Sequence, residues 1–451
     1  MNKTIEHQDL RHLVDEYGNS HQVTDELARG GQGVVFRTID TDLAIKQPLD
    51  AYGRADTNAD LRERFQSIRI LPIPPRVPVS LPLAILRDEP GYVMRLLSDM
   101  KPFGSFELNG KIKREMVGRS AMLPNWLREI PDEQMALLLQ HYASTGSSRR
   151  RLFALAKCAA ILARLHSAGL VYGDISTNNA FVRDHPACNV WLIDADNMRF
   201  ELPFGGISVY TPGYGAPEVV QGRDQSRPRT DCWAFAVMAF KLLALCHPFV
   251  GKKVLQAEDD DSGWDAEPVA AGESGAHASM EEQAYAGHLP FVDDENDDSN
   301  EGACGLPRAL VTTPGLHRLF QDTFSAGREH PHCRPAMAYW ALELAKAADH
   351  ALDCPVCAMS YFADDHGRCP YCGGERPAFI RVQTPRWEIV IPASTTELAL
   401  PHRLFYPFSF ERHDELECDA LLSFATQTAV PARGSKAFPE NLTFTFVEAG
   451  K

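Results

Sequence analysis

The run LVYGDISTNNAFV, residues 170–182, sets Asp174 five residues ahead of Asn179 between two apolar stretches. That spacing suits a phosphoryl-transfer loop, in which a carboxylate orients a hydroxyl and an amide oxygen helps to hold a metal ion. Tyr172 and Gly173 stand where such loops usually read His-Arg. Seven letters alone are weak evidence, so the weight falls on what else the chain carries and in what order.

At 451 residues, 44% apolar and 23% charged, the chain has the length for two to three domains with cores of their own. Fifteen of its sixty acidic residues lie in 257–301, a span without Lys or Arg, which leaves 45 acidic against 45 basic residues elsewhere. The net charge of −15 therefore belongs to one Gly/Ala/Ser-dotted segment, read as a solvated insertion or a disordered loop. An EF-hand register from Asp294 fails, because Ser299 and Gly305 stand where Gly and Glu are needed. No basic excess marks a nucleic-acid surface. The start, MNKTIEHQDLRH, has no apolar signal core. The longest apolar run, CWAFAVMAFKLLALC (232–246), carries Lys241, is too short to span a bilayer and reads as a buried helix. The expectation is a cytoplasmic chain with neither a nucleic-acid nor a membrane partner.

Residues 23–100 read as strands with one helical interruption. VVFRTIDTDLAIKQ holds two β-rich runs around a turn, GYVMRLL (91–97) is another strand, and NADLRERFQSIRI between them is helix-compatible. From about 130 the pattern turns helical. Leu152, Leu155, Ala159, Leu162 and His166 fall at three- and four-residue steps before Gly169, and MAYWALELAKAADHAL (337–352) is a later helix. The fold class is α+β. From about 378, FIRVQ, WEIVIP, LFYPFSF and LTFTFVE alternate apolar and polar residues, as a small β domain does.

Further motifs fall in order around the loop. LARGGQGVVF (27–36) is a Gly-rich strand–turn–strand, LAIK ends in Lys46, and Glu63 lies on the candidate helix with Asp60 nearby. VWLIDADNM places Asp194 at the end of a β-run, with Asp196 two residues on. TPGYGAPEVV (211–220), TDCWAF (230–235), HPF (247–249) and Arg334 in CRPAM follow. Over roughly residues 20–350 this series resembles the protein-kinase superfamily.

The resemblance implies a bilobal fold, with residues 1–20 a leading segment, 21–97 the N-lobe, and 98–350 a C-lobe carrying the acidic insertion 257–301. It implies ATP and Mg²⁺ as cofactors and a Ser/Thr protein kinase activity. Asp174 would be the catalytic base, Lys46 the phosphate contact and Glu63 its positioning partner. Asn179 and Asp194 would hold Mg²⁺. Ala28, Gly30, Gly31, Gly33, Val35 and Ala44 would cover the nucleotide, with Met94 the gatekeeper and Arg95, Leu96 and Leu97 the hinge. Glu218 would pair with Arg334, and Asp231 would anchor the catalytic loop.

Four positions depart from the family pattern: Ala28 for the first loop glycine, Tyr172-Gly173 for His-Arg, Ser176 for a lysine, and Asp194-Ala195-Asp196 without Phe and Gly. None removes the base or a metal ligand, which favours an active enzyme over a nucleotide-binding scaffold. Gly before the base and LIDAD also resemble small-molecule kinases of the aminoglycoside or choline type, but GAPE and DCWAF favour a protein kinase.

CPVCAMSYFADDHGRCPYCGG (354–374) places two C-x-x-C pairs eleven residues apart. Two such knuckles supply four thiolates for tetrahedral Zn²⁺, a closed structural site. A redox pair or two short disulfides are the competing readings, and His366 is a possible substitute ligand. Residues 351–376 are thus a zinc ribbon and 377–451 the small β domain. This domain order resembles bacterial kinases of the tellurite-resistance-associated phosphorylation triad. That resemblance implies a von Willebrand A-type protein substrate and a PP2C-type phosphatase as partners, with ribbon and tail as docking modules.

Overall fold

The computed structural model describes residues 11–30, 33–50, 52–58, 60–107, 123–128, 130–183, 188–201, 208–261, 278–302, 305–363, 367–401, 418–423, 428–431 and 442–450. Gly31, His366, LFYPFSF (404–410) and residues 262–277 of the acidic span lie outside these.

Six strands form the first sheet: β1 (His12–Val14), β2 (Ser20–Gly30), β3 (Gly33–Thr38), β4 (Leu43–Pro48), β5 (Ala84–Ile85) and β6 (Tyr92–Arg95), ordered β1-β2-β3-β4-β6-β5. Side chains alternate across it, as the two-residue period of a strand requires. Ile45 joins Leu13, Val23, Ala84, Leu86 and Val93 on one face. Ala44 joins Ile85, Tyr92 and Met94 on the other, against Phe65 of helix α1 (Asp60–Arg69). The Phe65 ring meets Tyr92 edge-on with centroids 4.9 Å apart. Within the leading segment, His12–Val14 belong to this lobe, because β1 pairs with β2 at His12–Gln22, Leu13–His21 and Val14–Ser20.

The helical lobe begins with α2 (Glu133–Ser144), whose first N–H groups are capped by Asp132. α3 (Ser147–Ser167) and α4 (Pro228–Ala244) follow. α4 is the apolar run read as a buried helix, and it is covered on every side, as an all-round apolar helix must be. Around it Trp233 stacks on Phe249 at 5.2 Å, and Phe240 meets Phe320 edge-on at 5.2 Å. Two further strands, β7 (Ala180–Arg183) and β8 (Asn189–Leu192), flank the catalytic loop.

The acidic span is not a solvated loop throughout. From residue 278 it packs into this lobe, with Phe291 and Val292 buried. The Asn300 amide donates to the carbonyls of Phe249 and Pro290 at 3.0 and 2.8 Å. Its charges face outward while its apolar residues supply core, a split that net charge alone hides.

Helix α5 (Met337–Asp349) packs along α3 and leads into β9 (Ala351–Asp353), which pairs with β10 (Ser360–Phe362). The tail forms two three-stranded sheets among the described residues. One joins β11 (Phe379–Thr384), β12 (Trp387–Pro392) and β16 (Thr443–Val447), the other β13 (Glu397–Pro401), β14 (Cys418–Ser423) and β15 (Thr428–Pro431). No helix among the described residues is long and apolar enough to cross a membrane.

Candidate active site

Register in the first sheet fixes the roof of the site. Lys46 lies opposite Tyr92, Ala44 opposite Met94 and Leu43 opposite Arg95. In the β2–β3 hairpin, Ala28 lies opposite Val35 and Gly30 opposite Gly33. A Cβ on Gly33 would stand 2.9 Å from the Gln47 carbonyl and 3.1 Å from Lys46 Cε, so glycine here leaves room for the lysine. Val35, Ala44, Met94 and Leu96 share one apolar cluster, the surface a flat base would use. Ala28, Gly30 and Arg95 are exposed. The Leu96 N–H already donates to the Asp42 carbonyl at 2.8 Å, so Leu96 offers its side chain rather than its amide.

The loop 170–179 hangs from Asp231 on α4. Its carboxylate accepts from the Tyr172 and Gly173 amides at 2.8 and 2.9 Å and lies 3.0 Å from His166 Nε2. Tyr172 is buried and its hydroxyl donates to the Ile193 carbonyl, which ties the loop to the strand that carries Asp194. Asp174 Oδ1 accepts from the Thr211 hydroxyl at 2.7 Å. The Asn179 amide donates to the Asp174 carbonyl at 2.8 Å and to Oδ2 at 3.2 Å. Burial raises the Asp174 carboxyl above its ordinary range, with the Thr211 and Asn179 hydrogen bonds opposing it.

The Ile193 amide donates to the Asn179 carbonyl at 2.9 Å and so draws Asp194 to the loop. Asp194 sits in the left-handed region at φ 62°, which costs a non-glycine residue about 1–2 kcal/mol. Lys46 Nζ donates to Asp194 Oδ1 and, at 2.7 Å, to Asp196 Oδ2. The two carboxyls part in character. Burial pushes Asp194 up against the pull of Lys46. Burial opposes Asp196 too, but Lys46 and the Tyr92 hydroxyl together hold it below the ordinary carboxylate range. Asp194 Oδ2 and Asn179 Oδ1 accept no hydrogen bond among the described residues. They leave two hard oxygens that suit Mg²⁺.

Glu63 is not brought to Lys46. The face of α1 turned to the lobe carries Leu61, Phe65 and Ile68, and Glu63 lies about 160° around the helix from Phe65, exposed. Arg64, also exposed, reaches the cleft instead, donating through Nε and Nη2 to the Asp196 carbonyl at 2.9 and 2.6 Å. Sequence reading missed Tyr92 and Arg64. The register placing Tyr92 beside Lys46 was the signal for the first.

The segment after Asp194 closes on buried pairs. Arg334 makes two parallel bonds to Glu218, at 2.6 and 2.8 Å, with its guanidinium 4.9 Å over the Trp233 ring. Lys241 donates to the Tyr214 hydroxyl at 2.8 Å and pairs with Glu107 at 3.1 Å.

At the ribbon, Cys354, Cys357, Cys369 and Cys372 place their sulfurs within 4.8 Å of one another. Cys354 and Cys372 lie 3.6 Å apart, Cys357 and Cys369 3.7 Å. A disulfide would need about 2 Å, whereas four thiolates about 2.3 Å from one Zn²⁺ lie about 3.8 Å apart. The two knuckles match in backbone as well. Cys354 N–H donates to Met359 O and Cys369 N–H to Gly374 O, both at 2.8 Å, with Ala358 and Gly373 at φ 58° and 68°. The donor set fits a tetrahedral zinc ion.

Residues 129–269 match the family model of the protein kinase domain. NUAK family SNF1-like kinase 1 of Mus musculus is 28% identical over 129 residues, 26% of this chain and 19% of that protein. Serine/threonine-protein kinase kin-29 of Caenorhabditis briggsae is 24% identical over 136 residues, 27% of this chain and 16% of that protein. Leucine-rich repeat serine/threonine-protein kinase 1 of Caenorhabditis elegans is 32% identical over 102 residues, 20% of this chain and 4% of that protein. The chain spans less than a fifth of the length of these relatives. Residues 129–269 are thus similar to a protein kinase domain, with Ser/Thr kinases among the chain's distant relatives.

Proposed function

We propose that this chain is an ATP- and Mg²⁺-dependent protein kinase that phosphorylates Ser or Thr of a partner protein. The observation that carries the reading is the meeting of Asp174, Asn179, Asp194 and Lys46 around one cleft, beneath the apolar roof of Val35, Ala44, Met94 and Leu96. Asp174, oriented by Thr211, accepts the proton of the attacking hydroxyl. Lys46 binds the phosphates, and Asn179 Oδ1 with Asp194 Oδ2 hold Mg²⁺. The ion's contribution is to neutralise charge on the phosphoryl oxygens. Phosphoryl transfer is mostly positioning, so these few polar groups suffice.

The protein substrate is taken to be a von Willebrand A-type protein, with a PP2C-type phosphatase reversing the reaction. The support is the order of kinase domain, ribbon and tail. Ribbon and tail would offer the docking surface. Phosphosite mapping after mixing the chain with such a protein tests the substrate.

The activity itself is tested with radiolabelled ATP and Asp174→Asn as control. Loss of a positioned general base costs about 100-fold or more in phosphate transfer. Equal labelling by both proteins, or none by either, would leave a nucleotide-binding scaffold as the better reading.

A further inference from the structure

Helix α1 brings a cation, not a carboxylate, to the back of the cleft. We propose that Asp196 is the residue that positions Lys46, with Tyr92 and Arg64 fixing Asp196 in turn. The inference rests on the kinase reading and names a part of the same site.

Both oxygens of the Asp196 carboxylate are used. Oδ2 accepts from Lys46 Nζ at 2.7 Å, and Oδ1 accepts from the Tyr92 hydroxyl at 2.7 Å. Tyr92 and Lys46 are direct cross-strand neighbours, so their side chains leave the sheet on the same face and reach one carboxylate side by side. Tyr92 is 2% exposed, and a phenol buried that deeply needs a protein partner for its O–H. The backbone of the same residue is held from the other side. Arg64 clamps the Asp196 carbonyl through two nitrogens and reaches Asn197 Oδ1 at 2.7 Å.

The helix geometry excludes the alternative in this arrangement. Glu63 and Arg64 are consecutive and so point about 100° apart. Turning Glu63 toward Lys46 would carry Arg64 off Asp196 and lift Phe65 and Ile68 out of the core. One carboxylate of the Asp-Ala-Asp stretch thus serves the lysine and the other serves the metal. Asp194 keeps Oδ2 for the ion while Asp196 spends both oxygens inside the protein.

The test compares Asp196→Asn, Tyr92→Phe and Glu63→Gln in the full chain, with two readouts. The first is steady-state kinetics against ATP and against Mg²⁺. Asp196→Asn lowers kcat about 100-fold, the effect expected of a misplaced catalytic group, while the Mg²⁺ requirement stays as in the parent. Tyr92→Phe lowers kcat by about tenfold and Glu63→Gln changes it less than about twofold. The second needs no turnover: the rate of Lys46 acetylation by acetic anhydride, followed by peptide mass spectrometry. Asp196→Asn accelerates it by about tenfold, because Lys46 Nζ loses one of the two carboxylates that hold it in the cleft, and Glu63→Gln leaves it unchanged.

A Glu63→Gln variant that loses activity and exposes Lys46 while Asp196→Asn does neither overturns the proposal. So does an Asp196→Asn variant that needs far more Mg²⁺ but acetylates at the parental rate, since Asp196 would then be a metal ligand. If the parent transfers no phosphate, the kinase reading fails by itself and the acetylation rates still decide the partner of Lys46. Tyr92→Phe, which removes one hydroxyl, covers the case in which Asp196→Asn does not fold.

Discussion

Gly173 holds φ 87°, and a Cβ there would press to 3.0 Å from the Asn197 carbonyl. An arginine at this position would meet both a strained backbone and a collision, so its absence before Asp174 is built into the loop. Tyr172, beside it, ties the loop to the strand before Asp194 by bonding the Ile193 carbonyl. His247 shows the same economy. Its Nε2–H donates to the Gly213 carbonyl at 2.8 Å, and its Nδ1 accepts from the Phe249 N–H at 3.2 Å. The second bond requires the neutral ring, since a protonated Nδ1 would face an N–H. Burial, with Lys241 nearby, depresses this histidine to about 4. The unfolded chain, with an ordinary value of about 6.5, takes up the proton first, so stability is full above pH 6.5 and falls as pH drops toward 4. The loss from this one group is on the order of 3 kcal/mol. Urea denaturation at pH 7.5 and 5.5 should show about 1.4 kcal/mol of it, and His247→Gln should flatten that slope. An unchanged slope in the variant would place the acid sensitivity elsewhere. That Asp174, Asn179, Asp194 and Lys46 come together was legible in the sequence because their motifs follow one another in a fixed order and spacing. Glu63 was misread because spacing alone does not say which face of a ten-residue helix turns inward, and Arg64 beside it is equally polar.

At the scale of elements, the ribbon acts as a cap. Helix α3 begins at Ser147 after Gly146, which has no side chain to satisfy the first amides. Ser360 of β10 supplies the missing acceptor, taking the Arg149 N–H at 2.8 Å, while its own N–H donates to Ser147 Oγ at 2.9 Å. Arg149 also pairs with Asp353 at 3.0 Å. The cysteine spacing announced the four-sulfur cluster, but nothing in it announced the cap, because the partners lie more than two hundred residues apart. Ser360→Ala should cost about 1 kcal/mol, the usual worth of an N-cap. Stripping the zinc should cost more, since the knuckles order β9 and β10 together, and should lower the Tm by several degrees. A zinc-chelating dye reports release while a thermal melt reports stability. Metal lost with the Tm unmoved would mean that the thiolates and the cap are independent.

At the scale of the molecule, the tail bears on the helical lobe through buried groups. Met359, Phe379 and Val382 are fully buried, and Tyr361 and Trp387 nearly so, in one continuous core with Leu155 of α3 and Trp340 of α5. The Trp387 indole N–H donates to Asp349 Oδ2 at 2.8 Å, and that carboxylate is itself 2% exposed at the last turn of α5. Alternating strands in the sequence announced a β unit but could not announce which of its faces would meet a helix, because period-two patterning marks a buried face without naming its partner. Burying each such large side chain is worth about 1.5–3 kcal/mol. Ending the chain at residue 350 would expose α3 and α5 on this side and leave Asp349 without its indole donor. The shortened chain should be markedly less stable than the full one, with α5 cut early in limited proteolysis. Trp387→Phe in the full chain, which keeps an aromatic ring but removes the N–H, should cost about 1.5–3 kcal/mol, the usual worth of a hydrogen bond to a charged group. A shortened chain that melts where the full chain does would instead make the tail a separately folded attachment, free to engage a partner without disturbing the catalytic lobes.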